Sequence, residues 1–119
     1  MSKTPEGELK DQVKAYLKER GVASLSRPDK NAVGYYHMKV PNGYGEPTLD
    51  FHGCYRGRFF AIETKAPGKA MTARQSLIAQ AILQGGGYVM HDDTWETLHL
   101  KMKLFFDACD VDAFAANGV

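Results

Sequence analysis

Apolar positions along the chain follow a helical period in some stretches and a strand period in others. Leu9, Val13, Tyr16 and Leu17 recur at i, i+4, i+7 and i+8, which predicts a helix from about Pro5 to Arg20. Thr4 suits the N-cap, Pro5 the first helical position, and Glu6 and Glu8 the positive end of the dipole; Gly21 stops it. Tyr35 to Val40 reads as a strand ended by Pro41-Asn42-Gly43 and the Gly45-Glu46-Pro47 turn. Thr48 to Tyr55 and Arg58 to Lys65 read as two further strands around Arg56-Gly57. In the first, Leu49, Phe51 and Tyr55 alternate with Asp50, His52 and Cys54. After the break at Pro67-Gly68, a helix is expected from about Ala73 to Gln84. Thr72 is its cap, Leu77, Ile78, Ala81 and Ile82 its buried face, and Gly85-Gly86-Gly87 its stop. Tyr88 to His91 is a short apolar strand. A last helix, capped by Asp93 or Thr94, turns Leu98, Met102, Phe105, Phe106 and Cys109 to the core, and the tail from about Val111 is expected to fray. The order αβββαβα predicts an α/β fold with a mixed sheet flanked by helices.

Composition narrows the class. The 119 residues give one domain, 1–119, with no repeat or linker to divide it. No apolar run approaches the roughly 20 residues that span a bilayer, so no membrane partner is expected. No apolar signal-peptide core follows the N-terminus. Cys54 and Cys109 are too few for a disulfide scaffold and lack zinc spacing, so a reduced, cytoplasmic protein is the expectation. His37, His52, His91 and His99 show no ligand spacing either. The net charge of +1 hides an asymmetry: residues 1–74 carry 13 Lys and Arg against 8 Asp and Glu, and residues 75–119 carry 2 against 6. A basic front and an acidic back can present one face to a polyanion, although a solvated surface accounts for the same asymmetry.

The hairpin carries the chemistry. A two-residue turn at Arg56-Gly57 places Asp50 across from Glu63 on one face, with Cβ atoms about 4.5–5.5 Å apart. Two carboxylates so placed repel, and a divalent cation between them turns repulsion into a ligand pair. Lys65, two residues beyond Glu63, points to the same face. A register shift of one residue would destroy the arrangement, and an exposed strand end with an Asp50–Lys65 ion pair is the competing reading. His52 shares the face.

The run Gly45-Glu46-Pro47-Thr48-Leu49-Asp50, then Phe59-Phe60-Ala61-Ile62-Glu63-Thr64-Lys65-Ala66-Pro67-Gly68-Lys69, then Thr72-Ala73-Arg74-Gln75 and Gly85-Gly86-Gly87, resembles the VRR-NUC family of the PD-(D/E)XK nuclease superfamily, in particular its stand-alone, phage-type members. The resemblance covers roughly Glu8 to His91, and Thr48-Leu49 between Pro47 and Asp50 departs from the superfamily pattern while leaving the ligand in place. It implies a restriction-endonuclease-like αβββαβα core, with Asp50 and Glu63 as metal ligands and the Thr64 carbonyl completing the protein shell. It also implies that Lys65 orients or deprotonates the attacking water and stabilises the pentavalent phosphate. Gln75 matches a residue that holds that water or the lysine, and Glu8 an acidic residue brought to the site by the first helix. Glu8 is read as lying just outside the apolar stripe. Gln75 can equally complete a capping box with Thr72, and Glu8 can simply complement the helix dipole. Lys69 and Arg74 flank the site as candidate DNA phosphate contacts, or are solvated charges.

The expectation is therefore a Mg²⁺- or Mn²⁺-dependent, structure-specific DNA endonuclease. The resemblance points to four-way (Holliday) junctions cut by a homodimer, with the Phe105–Phe106 face of the last helix as a candidate dimer surface. The alternatives are a nuclease for flaps, ends or unbranched DNA, and a DNA-binding module with a degenerate nuclease fold.

Overall fold

The fold is that of a computed structural model, which describes residues 3–39 and 48–117, with side chains as far as Ala113. Helix α1 (Pro5–Glu19) begins where expected, Thr4 Oγ1 accepting from the Gly7 N–H at 3.1 Å. The sheet then builds through β1 (Val22–Ser24), β2 (Gly34–Met38), β3 (Phe51–Tyr55) and β4 (Arg58–Thr64). Helix α2 (Ala73–Gln84) crosses over to β5 (Tyr88–Asp92), and α3 (Trp95–Asn117) ends the described chain. The spatial order is β1-β2-β3-β4-β5, parallel at β1/β2 and β4/β5 and antiparallel between, so the sheet is mixed. Strand β1 is an addition to the expected order. Its three residues are too few to show a period. The expected turns at Pro41-Asn42-Gly43 and Gly45-Glu46-Pro47 lie outside the described residues.

Helices α1 and α3 cover one face of the sheet and α2 the other. The larger core joins Leu9, Val13 and Leu17 of α1 to Leu98, Met102 and Phe106 of α3 over Phe51, Phe60, Ile62 and Met90. Phe105 and Phe106 are 6% and 0% exposed, so they belong to this core and not to a free face for a second copy. Among the described side chains, the large apolar residues that α3 exposes are Leu100, Leu104 and Val111. Helix α3 also continues to Asn117, past the point where fraying was expected.

The second core is small. Leu49 packs there with Ala61 and Ala79, opposite the face taken by Phe51. Strand pairing starts only at Phe51, so the alternation read from Leu49 onward does not extend back to it. On α2 the buried residue is Ala79, flanked by Ile78 and Ile82; Leu77, expected inside, is 65% exposed, and Ala81 is exposed too.

The hairpin sets the register of everything that follows. Arg56 and Gly57 both have positive φ, 48° and 84°, the pattern of a type I′ turn whose twist matches its strands. Glycine takes that conformation freely, whereas Arg56 is held there by its Nε donating to Asp110 Oδ1 at 2.7 Å. The resulting pairs run from Tyr55↔Arg58 to Phe51↔Ile62. Gly53 is the tight point in β3: a Cβ there would run into the Tyr35 carbonyl oxygen and lie 2.7 Å from Phe60 Cζ.

Candidate functional site

Continuing the Phe51↔Ile62 register by one residue brings Asp50 opposite Glu63, at the end of the sheet where β4 finishes. The Asp50 N–H donates to Glu63 Oε1 at 3.0 Å. In return, Asp50 Oδ2 accepts from the Thr64 N–H at 2.9 Å and from the Thr64 hydroxyl at 2.7 Å. Lys65 Nζ stands 3.3 Å from Glu63 Oε2. Asp50, Glu63, Thr64 and Lys65 are thus brought together, each fixed by a neighbour on the opposing strand or on its own.

Burial makes the pair unusual. Glu63 is 2% exposed and Thr64 0%, the two buried polar residues of the described chain. Burial pushes the Glu63 carboxyl above its usual range, the neighbouring Asp50 charge pushes it further, and the Asp50 N–H and Lys65 oppose both. An ionised carboxylate here is costly without a compensating cation. In the structure Lys65 provides part of that charge, and Lys10 of α1 provides more, its Nζ 3.5 Å from Asp50 Oδ2.

Helix α1 therefore reaches the carboxylates through Lys10, itself paired with Glu6 at 2.9 Å, and not through Glu8. Glu8 is exposed. At 100° per residue it projects well over 90° from the centre of the stripe through Leu9, Val13, Tyr16 and Leu17, whereas Glu6 lies within that stripe and Lys10 at its edge. The same arithmetic was open to the sequence and sets Glu8 aside; the contact with Asp50 is what identifies Lys10, which the family pattern did not mention.

Gln75 completes the capping box of α2: the Thr72 N–H donates to Gln75 Oε1 at 2.9 Å, and the Gln75 N–H to Thr72 Oγ1 at 3.1 Å. Its carboxamide oxygen is committed to the helix terminus and is not joined to the carboxylates. Lys69 and Arg74 are exposed. Lys69 lines a cavity of about 300 Å³ with Lys65, Met71, His91, Asp92 and Lys101. Lys101 is already engaged there, donating to the His91 carbonyl at 2.9 Å and pairing with Asp92 at 3.0 Å. Burial alone would raise the Asp92 carboxyl, but hydrogen bonds from the Asp93 N–H, Lys101 and Thr97 outweigh it and hold it at about 2.

His52 takes a structural position. Its Nε2 accepts from the Leu49 N–H at 3.2 Å and holds the chain entering β3. Burial, and then the nearby His37, lower its pKa, so the ring is kept neutral for that bond.

The donor set suits a hard divalent ion. Among the described residues no three His, Cys, Asp or Glu side chains converge as a metal group. The site offers two carboxylates, both oxygen donors, on facing strands. Mg²⁺ is commonly held by one or two carboxylates while it keeps several waters, so this pair fits an ion of that class. Thr64, whose carbonyl the resemblance nominates as the third ligand, follows Glu63 directly and is fully buried. No described helix is long and apolar enough to cross a membrane. Compared with known protein families and with curated protein sequences, the chain matches no family model and no curated protein.

Proposed function

We propose that this chain is a metal-dependent phosphodiesterase that hydrolyses DNA, of the VRR-NUC kind. The observation that carries the reading is the facing pair Asp50 and Glu63, with Lys65 Nζ 3.3 Å from Glu63. A buried carboxylate pair is a poor stability device, but it is the arrangement a cation site for phosphoryl chemistry needs. Asp50 and Glu63 would hold Mg²⁺ or Mn²⁺. The ion supplies Lewis-acid charge to a phosphoryl oxygen and to the water that attacks phosphorus.

The chain's own residues do the rest. The Thr64 N–H and hydroxyl fix the Asp50 carboxylate, and the Asp50 N–H fixes that of Glu63, so neither must reorganise when charge develops. Lys65, on the Glu63 side, places its ammonium where negative charge accumulates on the phosphoryl oxygens and where the water is oriented. As the water oxygen bonds to phosphorus, the bond to one sugar oxygen breaks; the water's proton passes to solvent and the departing oxygen takes one up. With Gln75 held in the capping box and Glu8 exposed, neither enters this account.

The substrate we propose is branched DNA, with the four-way junction cut by a twofold dimer as the finer reading. Among the described residues of α3, Leu100, Leu104 and Val111 offer apolar surface for such a dimer. The test is cleavage of end-labelled four-way junction, flap, duplex and single-stranded DNA with Mg²⁺ or Mn²⁺, beside a Lys65→Ala control. Metal-dependent cutting lost in the control supports the hydrolase, and paired nicks confined to the junction support the finer reading. Binding without cutting overturns the enzyme reading in favour of a DNA-binding module; cutting of flaps or unbranched DNA overturns the junction.

A further inference from the structure

A second feature, a row of lysines on α1, begins at that site and leads to a separate cavity. Lys10, Lys14 and Lys18 follow one another at i, i+4 and i+8, so they form a row on one flank of the helix. Each step is about 6 Å, and the row is about 12 Å long. Its first member touches the candidate site, Lys10 Nζ lying 3.5 Å from Asp50 Oδ2. The other two line a cavity of about 490 Å³ between α1 and the β1 edge of the sheet. Arg27, Asn31 and Tyr36 also line it, and Asp29 is its one carboxylate.

The charges of this groove are spare. Among the described residues Lys18 and Arg27 make no ion pair, and Lys14 has only Asp11 at 3.8 Å, which Lys3 also engages. Asp29 is turned to the backbone, its Oδ1 accepting from the Asn31 N–H at 2.8 Å. The other basic cluster, around Lys65, Lys69 and Lys101, is balanced by Asp92 and Asp93 and has Lys101 already bonded. A solvated lysine row on a convex helix would need no partner. Lys14 and Lys18 instead form part of the wall of a concavity, where low-dielectric surroundings focus their field.

We infer that the Lys10–Lys14–Lys18 row with Arg27 is a track for one phosphodiester strand, leading from the candidate site along α1 to the β1 edge. The row's step is on the scale of one nucleotide of an extended strand. Lys14, Lys18 and Arg27 contact successive phosphates, while Lys10 stands at the entrance beside Asp50. Such contacts set the position of the strand relative to the carboxylates and carry no base information. The choice of ligand rests on the proposed DNA-hydrolase function.

The experiment is a fluorescence-anisotropy titration of short 5′-labelled single-stranded DNA, in chelator so that nothing is cut, from about 50 to 200 mM salt. Four proteins are compared: wild type, the Lys14→Gln/Lys18→Gln double variant, Arg27→Gln, and Lys103→Gln. Lys103 lies on α3 and is paired with Asp107, so it controls for loss of charge elsewhere. The expected result is a log–log salt slope shallower by about 1.4 in the double variant and by about 0.7 in Arg27→Gln. Affinity of the double variant at low salt falls about tenfold or more, and Lys103→Gln keeps the wild-type slope. Wild-type slope and affinity in both groove variants, an equal loss in Lys103→Gln, or no DNA binding by the wild type would each overturn the track. Wild-type protein that binds DNA as expected but leaves it uncut in Mg²⁺ would sink the hydrolase and leave the track standing.

Discussion

Asp50 and Glu63 are bound to each other's strands: the Asp50 N–H donates to Glu63 Oε1 at 3.0 Å, while Thr64, next to Glu63, donates twice to Asp50 Oδ2. The hydrogen bonds hold two like charges together that would otherwise separate. Replacing Glu63 by Gln keeps the Oε1 acceptor and removes one of those charges from a buried position. Glu63→Gln should therefore melt higher than the wild type in EDTA, the relief from burial and from Asp50 outweighing the lost Lys65 contact, while losing any stabilisation by Mg²⁺. Thermal melts with and without Mg²⁺ read both effects, and a variant that is less stable in EDTA contradicts the idea of a strained pair.

That relationship was largely legible in the sequence, because register follows from a two-residue turn and the side-chain period of a strand is fixed. The helical faces were read less well. The core face of α3 came through because five apolar residues repeat over three turns. That of α2 did not, because Leu77 and Ala81 are apolar yet exposed, while a small residue, Ala79, is the one buried against Leu49 and Ala61. Lys10 lies at the edge of the apolar stripe, but a lysine there carries no signal of a metal site in the sequence, whereas an acidic residue such as Glu8 does. Strand β1 was invisible, since three residues beside a glycine carry no periodic signal. Gln75 fitted both a site role and a cap, and only geometry separates the two.

The capping box gives a stability prediction that is independent of catalysis. Thr72→Ala removes the acceptor of the Gln75 N–H and should cost about 1 kcal/mol in denaturant unfolding. Gln75→Ala removes the reciprocal bond and should also destabilise. If Gln75→Ala instead abolished cleavage with stability unchanged, its place at the helix terminus would not be its role.

Phe106 anchors the larger core, fully buried with its ring 4.7 Å from that of Tyr55 and 5.5 Å from that of Phe60. Phe106→Ala leaves a cavity between α3 and the sheet, and the expected loss is about 3–5 kcal/mol. Equilibrium urea unfolding measures it. A loss below about 1 kcal/mol would mean that α3 does not pack as described.

At the other end of the sheet, Asp110 accepts from Tyr55 Oη at 2.6 Å, Arg56 Nε at 2.7 Å and Arg20 at 2.8 Å. Burial alone would raise its carboxyl, but the hydrogen bonds from Tyr55 and Arg56 and the charge of Arg20 win and lower it below 3.8. A carboxyl lowered on folding stabilises above its unfolded value, and that contribution is lost as pH falls below about 4 through the folded value. Asp110→Asn should therefore be less stable than wild type at neutral pH, with the gap closing as pH drops below about 4. Unfolding free energies across the acid range check this, and a gap independent of pH contradicts it.

Whether Asp50 and Glu63 hold a divalent cation is read by Mn²⁺ binding, followed through its electron paramagnetic resonance signal. The wild-type chain should take up Mn²⁺ and be competed by Mg²⁺, with Asp50→Asn and Glu63→Gln each weakening uptake at least tenfold. Wild-type protein that leaves all Mn²⁺ free, or variants that bind it as the wild type does, would contradict the account.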